Sequence, residues 1–261
     1  MTVALALIGG GNMGAALLGG LLADGSMTAG DLAVVELSDE RRDDLRRRFP
    51  GVGVHETPPA CASAIIAVKP NAAAAATSTA ATAGATRILS IAAGVRLAVL
   101  QHAAGPEVAV VRAMPNTPAL VGRGASAIAG GDTVSDDDLG WAESILSAVG
   151  TVDRLPEPLL DAFTGVAGSG PAYIFLVAEA LTDAFVAEGV EPELAGRVVT
   201  QLLVGSAALL EQEGDPATLR RNVTSPGGTT AAGLAVLDER DLRGAFRAAV
   251  TAATERSREL G

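Results

Sequence analysis

The sequence predicts an α/β chain, with a doubly wound parallel sheet in its N-terminal half and an all-helical C-terminal half. Three observations carry this. Apolar strand-like runs at residues 3–8, 32–35, 64–68, 88–91 and 108–112 alternate with helix-like segments at 12–22, 39–49, 71–83 and 97–102. The runs are continuous Val, Ile, Leu and Ala, the pattern of strands covered on both faces, and strand–helix alternation favours parallel pairing. After residues 155–158 the strand-like runs stop and every segment reads as helix. The division expected is a sheet domain at 1–155 and a helical domain at 156–261.

Within the first half, the low-complexity stretch 72–85 is Ala-rich and reads as a helix followed by a loop, since Ala has the best helix propensity. Residues 126–129 add a strand, 136–149 a helix and 150–153 a closing strand. In the second half, Ser169-Gly170-Pro171 reads as a helix start, with Ser as cap and Pro in the first turn. The helix that follows, to Gly189, is apolar around most of its circumference. Such a helix must be buried, and the remaining helices (192–211, 216–221, 229–237, 242–258) are too few to cover it. A second copy of the chain is the expected cover, giving a homodimer built on the helical half.

Composition narrows the function. The chain has 261 residues, 49% hydrophobic and 19% charged, so it is globular; aromatics at 3% leave the core to Ala, Val, Leu and Ile. A net charge of −11 argues against nucleic acid or an anionic membrane as partner. Cys61 is the only cysteine, which excludes an intrachain disulfide, and His55 and His102 have no metal-ligand spacing, so no metal is expected. The opening MTVALALIGGG has no basic leader or cleavage signature. With no apolar run judged to reach the roughly 18–20 residues that span a bilayer, the expectation is a soluble cytoplasmic protein without a membrane partner.

Gly9-Gly10-Gly11-Asn12-Met13-Gly14 fits G-x-G-x-x-G, directly after a strand and opening a helix, the context in which that pattern binds a dinucleotide. Gly9, Gly11 and Gly14 allow a tight turn and close approach, and the helix start at Asn12 and Met13 receives a pyrophosphate. Glu36 ends the second strand-like run, where an acidic side chain binds ribose hydroxyls and repels a 2′-phosphate. Arg41 and Arg42 lie near enough to favour the opposite choice, so NADH and NADPH both stand. Val68-Lys69-Pro70 ends a further strand at the ligand-binding edge; Lys69 is the only lysine in the chain. Ala92, Ala93 and Gly94 end the next, with small side chains. Asn116 lies between Pro115 and Pro118, either presenting its amide to a nicotinamide or serving a rigid turn.

The helical half holds no Lys, His or Cys, so it offers none of the strong bases a hydroxyacid dehydrogenase uses. Reducing an imine demands less, because the nitrogen arrives protonated and needs only a hydrogen-bond partner. A carboxylate on the same substrate needs an anion site, which a helix N-terminus supplies. Ser225-Pro226-Gly227-Gly228-Thr229-Thr230 ahead of an apolar helix has that form; a helix cap without a ligand fits the spacing equally.

IGGGNMG, AVKP, RAMPNTPALVG, GSGPAYIF and NVTSPGGTT, in this order, resemble the Δ1-pyrroline-5-carboxylate reductases nearly end to end. The resemblance implies a Rossmann domain followed by a helical dimerisation domain, reduction of 1-pyrroline-5-carboxylate to L-proline, NADPH or NADH as donor, and a homodimer that can form a decamer of five dimers. By motif, Thr230 hydrogen-bonds the pyrroline nitrogen, while Ser225, Gly227, Gly228 and Thr229 hold the carboxylate. Glu213 matches a position near the substrate nitrogen. Asn222, Lys69, Pro70 and residues 92–94 match cofactor contacts. Glu36 departs from the many members with Asn or Ser followed by Arg. The rivals to this reading are a related hydroxyacid dehydrogenase and a dinucleotide-binding regulator without catalysis.

Overall fold

The structure, a computed structural model, describes residues 2–260. Eight strands form one sheet: β1 (Val3–Ile8), β2 (Leu32–Val35), β3 (Gly53–His55), β4 (Cys61–Ile66), β5 (Arg87–Ser90), β6 (Ala109–Met114), β7 (Gly124–Gly130) and β8 (Gly150–Arg154). Their order is β3-β2-β1-β4-β5-β6-β7-β8, so the chain reverses direction across the sheet between β1 and β4. Alternate residues of each strand enter opposite cores. Leu5 and Leu7 pack beneath α1 (Asn12–Ala23) and α5 (Asp136–Ser147), whereas Ala6 and Ile8 face α3 (Pro70–Thr82) and α4 (Leu97–Ala104). This is the two-sided burial that continuous apolar strands demand.

Two features of the sheet differ from the sequence expectation. β3 is three residues long at the edge, beyond α2 (Asp39–Arg48), too short for its GVH to stand out. β7 runs antiparallel to β6. The nine residues between them hold only a 3₁₀ turn at Thr117–Val121. A parallel return needs a crossover of a dozen or more residues, so the short link forces the reversal.

The chain divides into two compact units. One runs to Ser169 and takes in the stretch from Thr251; the other is Gly170–Val250. In the first unit, α6 (Leu160–Phe163) passes through a π-helical turn, Thr164–Gly168, where the Ser169 N–H donates to the Thr164 carbonyl at 2.9 Å. Ser169 therefore has helical dihedrals and is not an N-cap. The expected helix start at 169–171 is corrected to a continuous helical run, Glu157–Ala187.

The second unit contains α7 (Gly170–Ala187), α8 (Pro192–Glu213), α9 (Pro216–Asn222), α10 (Thr229–Glu239) and the start of α11 (Leu242–Leu260). α7 has no buried residue; Ile174, Phe175 and Leu176 are 51%, 63% and 63% exposed. α8 buries only Ala195 and Val199. By length and composition Glu157–Ala187 and Pro192–Glu213 could each cross a bilayer. The expectation that no apolar segment is long enough is thereby corrected; the π-turn joins segments that a Ser-Gly-Pro break had separated.

Candidate active site

The carboxyl edge of the sheet opens at the β1/β4 reversal, where ligands of doubly wound sheets bind. A cleft of about 680 Å³ lies there. Ile8, Gly9 and Gly11 form its floor; Val35, Glu36 and Leu37 one wall; and Ala67, Val68 and Lys69 the other. The glycines act differently. Gly9 has φ +108°, and a Cβ there would strike the Ala67 carbonyl. At Gly14 a Cβ would run into the Gly9 carbonyl and lie 2.9 Å from Leu7 Cδ2, so that glycine lets α1 settle onto β1. Gly11 has open space where its side chain would be. It is the N-cap of α1 with no side-chain acceptor, which leaves the helix start open toward the cleft. A pyrophosphate fits such a start.

Asn12 and Met13 are the first two residues of α1, and the Asn12 side-chain oxygen accepts from Arg41 Nη2 at 3.3 Å. Lys69 is the exposed N-cap of α3 and Pro70 its first residue. Ala92, Ala93 and Gly94 follow β5 outside the lining of the cleft. Gly94 has φ +78°, and its Cβ position lies 3.3 Å from the Leu260 Cβ at the end of α11. Asn116 spends both ends of its amide inside the fold: Oδ1 accepts from Ala125 N at 2.9 Å, and Nδ2 donates to the Ala167 carbonyl at 3.1 Å. These bonds support the rigid-turn alternative for Asn116.

A buried ion cluster was not legible in the sequence. Arg112, 3% exposed, donates from Nη1 to Glu157 Oε1 at 2.9 Å, and its guanidinium lies 3.9 Å from Asp161. Glu157 Oε1 also accepts from Leu97 N at 2.7 Å, and Asp161 Oδ1 from Ser257 Oγ at 2.8 Å. The cluster ties β6, the start of α4 and the last turns of α11 together. Only the burial of an Arg within an apolar strand could have hinted at it.

In the helical unit, α9 ends at Asn222, and Ser225-Pro226-Gly227-Gly228 turns the chain into α10. Gly227 has φ +70°, and Gly228 N donates to the Ser225 carbonyl at 3.1 Å, the geometry of a type II turn with Pro leading and Gly in third place. Gly228 is the N-cap and brings no side-chain acceptor. Ser225 is exposed in the turn and does not cap the helix. Thr229 and Thr230 are the first residues of α10, with Thr230 half-buried. The structure thus brings Ser225, Gly227, Gly228, Thr229 and Thr230 to one uncapped helix start. Glu213, exposed, ends α8, where Gly214 has φ +80°. Among the described residues no His, Cys, Asp or Glu cluster could hold a metal ion.

The family model for pyrroline-5-carboxylate reductase dimerisation matches residues 157–260, and one described as NADP oxidoreductase coenzyme F420-dependent matches residues 4–94. A pyrroline-5-carboxylate reductase of Synechocystis is 43% identical, covering 100% of this chain and 99% of its own. That of Pseudomonas aeruginosa is 40% identical over 99% and 97%. The chain belongs to the pyrroline-5-carboxylate reductase family. A solved reductase from Coxiella burnetii superimposes with TM-score 0.92 at 33% identity, over 100% of this chain and 99% of the other. The Plasmodium falciparum reductase, solved with NADP bound, gives 0.85 at 28% identity over 99% and 98%. The reductase activity is the NAD(P)H-dependent reduction of 1-pyrroline-5-carboxylate to L-proline in proline biosynthesis. The matched dimerisation region coincides with the helices whose apolar side chains are exposed in the single chain, so the reductase self-associates.

Proposed function

We propose that the uncapped start of α10 grips the substrate carboxylate and that Thr230 steers the ring nitrogen. The observation that carries this is Gly228 at the cap. A Ser, Thr, Asp or Asn there would consume a first-turn N–H, whereas Gly leaves these donors to a ligand anion. Thr229 and Ser225 add hydroxyls at the rim, and Gly227 permits close approach. Glu213 and Asn222 flank this segment as further substrate-side and cofactor-side contacts. The protonated C=N group accepts hydride at carbon, and the nitrogen keeps its proton as the ring amine. Thr230 Oγ1 accepts a hydrogen bond from that N–H, so no side chain of the helical unit has to act as a strong base. Positioning and preorganised donors supply the rate.

On the cofactor side, Gly9, Gly11, Asn12, Met13 and Gly14 take the pyrophosphate, Glu36 the ribose, and Val68, Lys69 and Pro70 the opposite wall. Ala92, Ala93 and Gly94 form a second loop, and Asn116 fixes a third. The bound dinucleotide supplies the hydride. The functional division is drawn at 155/156. The exposed faces of α7 and α8 are covered by a second subunit rather than by lipid. Glu179 and Asp183, one turn apart and exposed on α7, suit a protein interface and water better than a bilayer interior. Five dimers assembling into a decamer, and a cytoplasmic location, complete the reading.

Thr230→Ala should lower kcat/KM for the pyrroline substrate roughly 10-fold to 100-fold, the scale of one lost hydrogen bond to a charged group. Dinucleotide affinity should stay unchanged. Wild-type kinetics in that variant would remove Thr230 from its role.

A further inference from the structure

We infer that the cleft of this reductase selects the dinucleotide without a 2′-phosphate, NADH over NADPH, and that Glu36 with Glu56 sets the choice. The inference rests on the cofactor reading of the cleft. Near Arg41 and Arg42 the sequence left the choice open; hydrogen bonding decides it.

Glu36 lines the cleft at the carboxyl end of β2, where a dinucleotide places its adenosine ribose. Its carboxylate is fixed. Oε2 accepts from Gly10 N at 3.1 Å, and Oε1 accepts from Leu37 N at 2.8 Å and Ser38 N at 3.1 Å. Each carboxylate oxygen has two acceptor directions. Oε2 therefore keeps a free direction, and a ribose hydroxyl can use it. Swinging the side chain away to admit a phosphate would break all three bonds. A second carboxylate, Glu56, lines the same cleft just beyond β3.

The nearby cations are held outside the lining of the cleft. Arg41 Nη2 donates to the Gly10 carbonyl at 3.1 Å and to Asn12 Oδ1. Arg42 is buried; its Nη1 donates to the Glu36 and Leu37 carbonyls at 2.7 and 2.8 Å, and its Nη2 pairs with Asp39. Neither arginine lines the cleft. The cleft's one cationic side chain, Lys69, stands at the start of α3 on the β4 wall, across the β1/β4 reversal from Glu36. A 2′-phosphate would meet two carboxylates and no guanidinium among the residues that line the cleft, and like charges disfavour binding.

The test is direct binding of NADH and NADPH to the full-length protein by calorimetry, without substrate. It is run on wild type, Glu36→Gln and Glu56→Gln. Wild type should bind NADH at least roughly 10-fold more tightly, a ratio worth about 1.4 kcal/mol. Glu36→Gln should narrow that ratio by tightening NADPH. Glu56→Gln, which leaves the Gly10 bond untouched, should narrow it to a smaller degree and guards against a folding defect in the first variant. Equal or tighter binding of NADPH by wild type would overturn the inference and leave the cofactor reading standing. Binding of neither dinucleotide would remove the cleft as a cofactor site and the inference with it. A wild-type ratio that neither substitution moves would overturn the assignment to these two residues.

Discussion

The sheet unit and the helical unit meet the same demand, burying apolar side chains, in opposite ways. Leu5, Leu7, Leu17, Leu18, Ile65, Ile66 and Leu89 are each 1% exposed or less within one chain. Phe175, Leu176, Leu202, Val204 and Leu209 are all more than half exposed. The first unit is a finished core. The second leaves its apolar faces open in the single chain, and the proposed cover is another copy of the chain. Stability and association are therefore separate properties of the two units. The turn at 225–228, the proposed substrate site, lies in the helical unit, and the cleft proposed for the dinucleotide lies in the sheet unit.

The comparison can be broken at several points. Phe175→Glu combined with Leu176→Glu should abolish self-association, since buried interface aromatics cost about 2–4 kcal/mol or more when lost. Sedimentation should show monomer and activity should fall, while dinucleotide binding persists in the sheet unit. A dimer that survives both charges would contradict the half-core reading of α7. Arg112→Met should destabilise the sheet unit by about 3–5 kcal/mol, because Glu157 loses its buried cation and Asp161 keeps only the part-exposed Arg96, at 3.7 Å. Chemical denaturation would measure this, and a loss below 1 kcal/mol would show the cluster to be dispensable.

Gly14→Ala should cost about 1–3 kcal/mol through overpacking against Gly9 and Leu7, with weaker dinucleotide binding, and should leave the oligomer intact. The smallest effect concerns Asp138, in the capping box of α5 with Ser135. Burial alone would raise its pKa, but hydrogen bonds from Ser135 and the charge of Arg87 outweigh that and hold it below the usual carboxylate value. A lowered pKa in the folded state adds stability above the ordinary carboxylate range, lost as pH falls through the lowered value. Asp138→Asn should therefore cost about 0.5–1 kcal/mol at pH 7, and less at pH 3. Thermal melts at the two pH values should converge with wild type on the acid side.

Much of the sheet unit was readable from residue order. Val3–Ile8 and Leu32–Val35 are observed as the apolar runs place them, and the Gly9–Gly14 turn lies at the strand–helix junction that its spacing requires. Other features were not readable, for physical reasons that can be named. β3 has too few residues to show a period. The antiparallel β7 depends on the length of a link, not on its own composition. Ser169-Gly170-Pro171 has the residues of a cap, yet the π-turn at Thr164–Gly168 carries the helix through them.

Sequence alone determined the periodicities, the glycine turn, the SPGGTT segment and the absence of a strong base in the helical half, because each is a property of neighbouring residues. Tertiary structure decided where polar groups find partners. It placed Arg112 against Glu157 and Asp161, spent Arg41 and Arg42 on carbonyl oxygens, closed the Asn116 amide on the fold and pinned the Glu36 carboxylate on three N–H groups. Hydrophobic burial follows from local patterning because it is non-directional. A hydrogen bond depends on the distance and angle between donor and acceptor, whether the residues are adjacent, as Glu36 and Leu37 are, or far apart, as Glu36 and Gly10 are, and only the folded backbone fixes those.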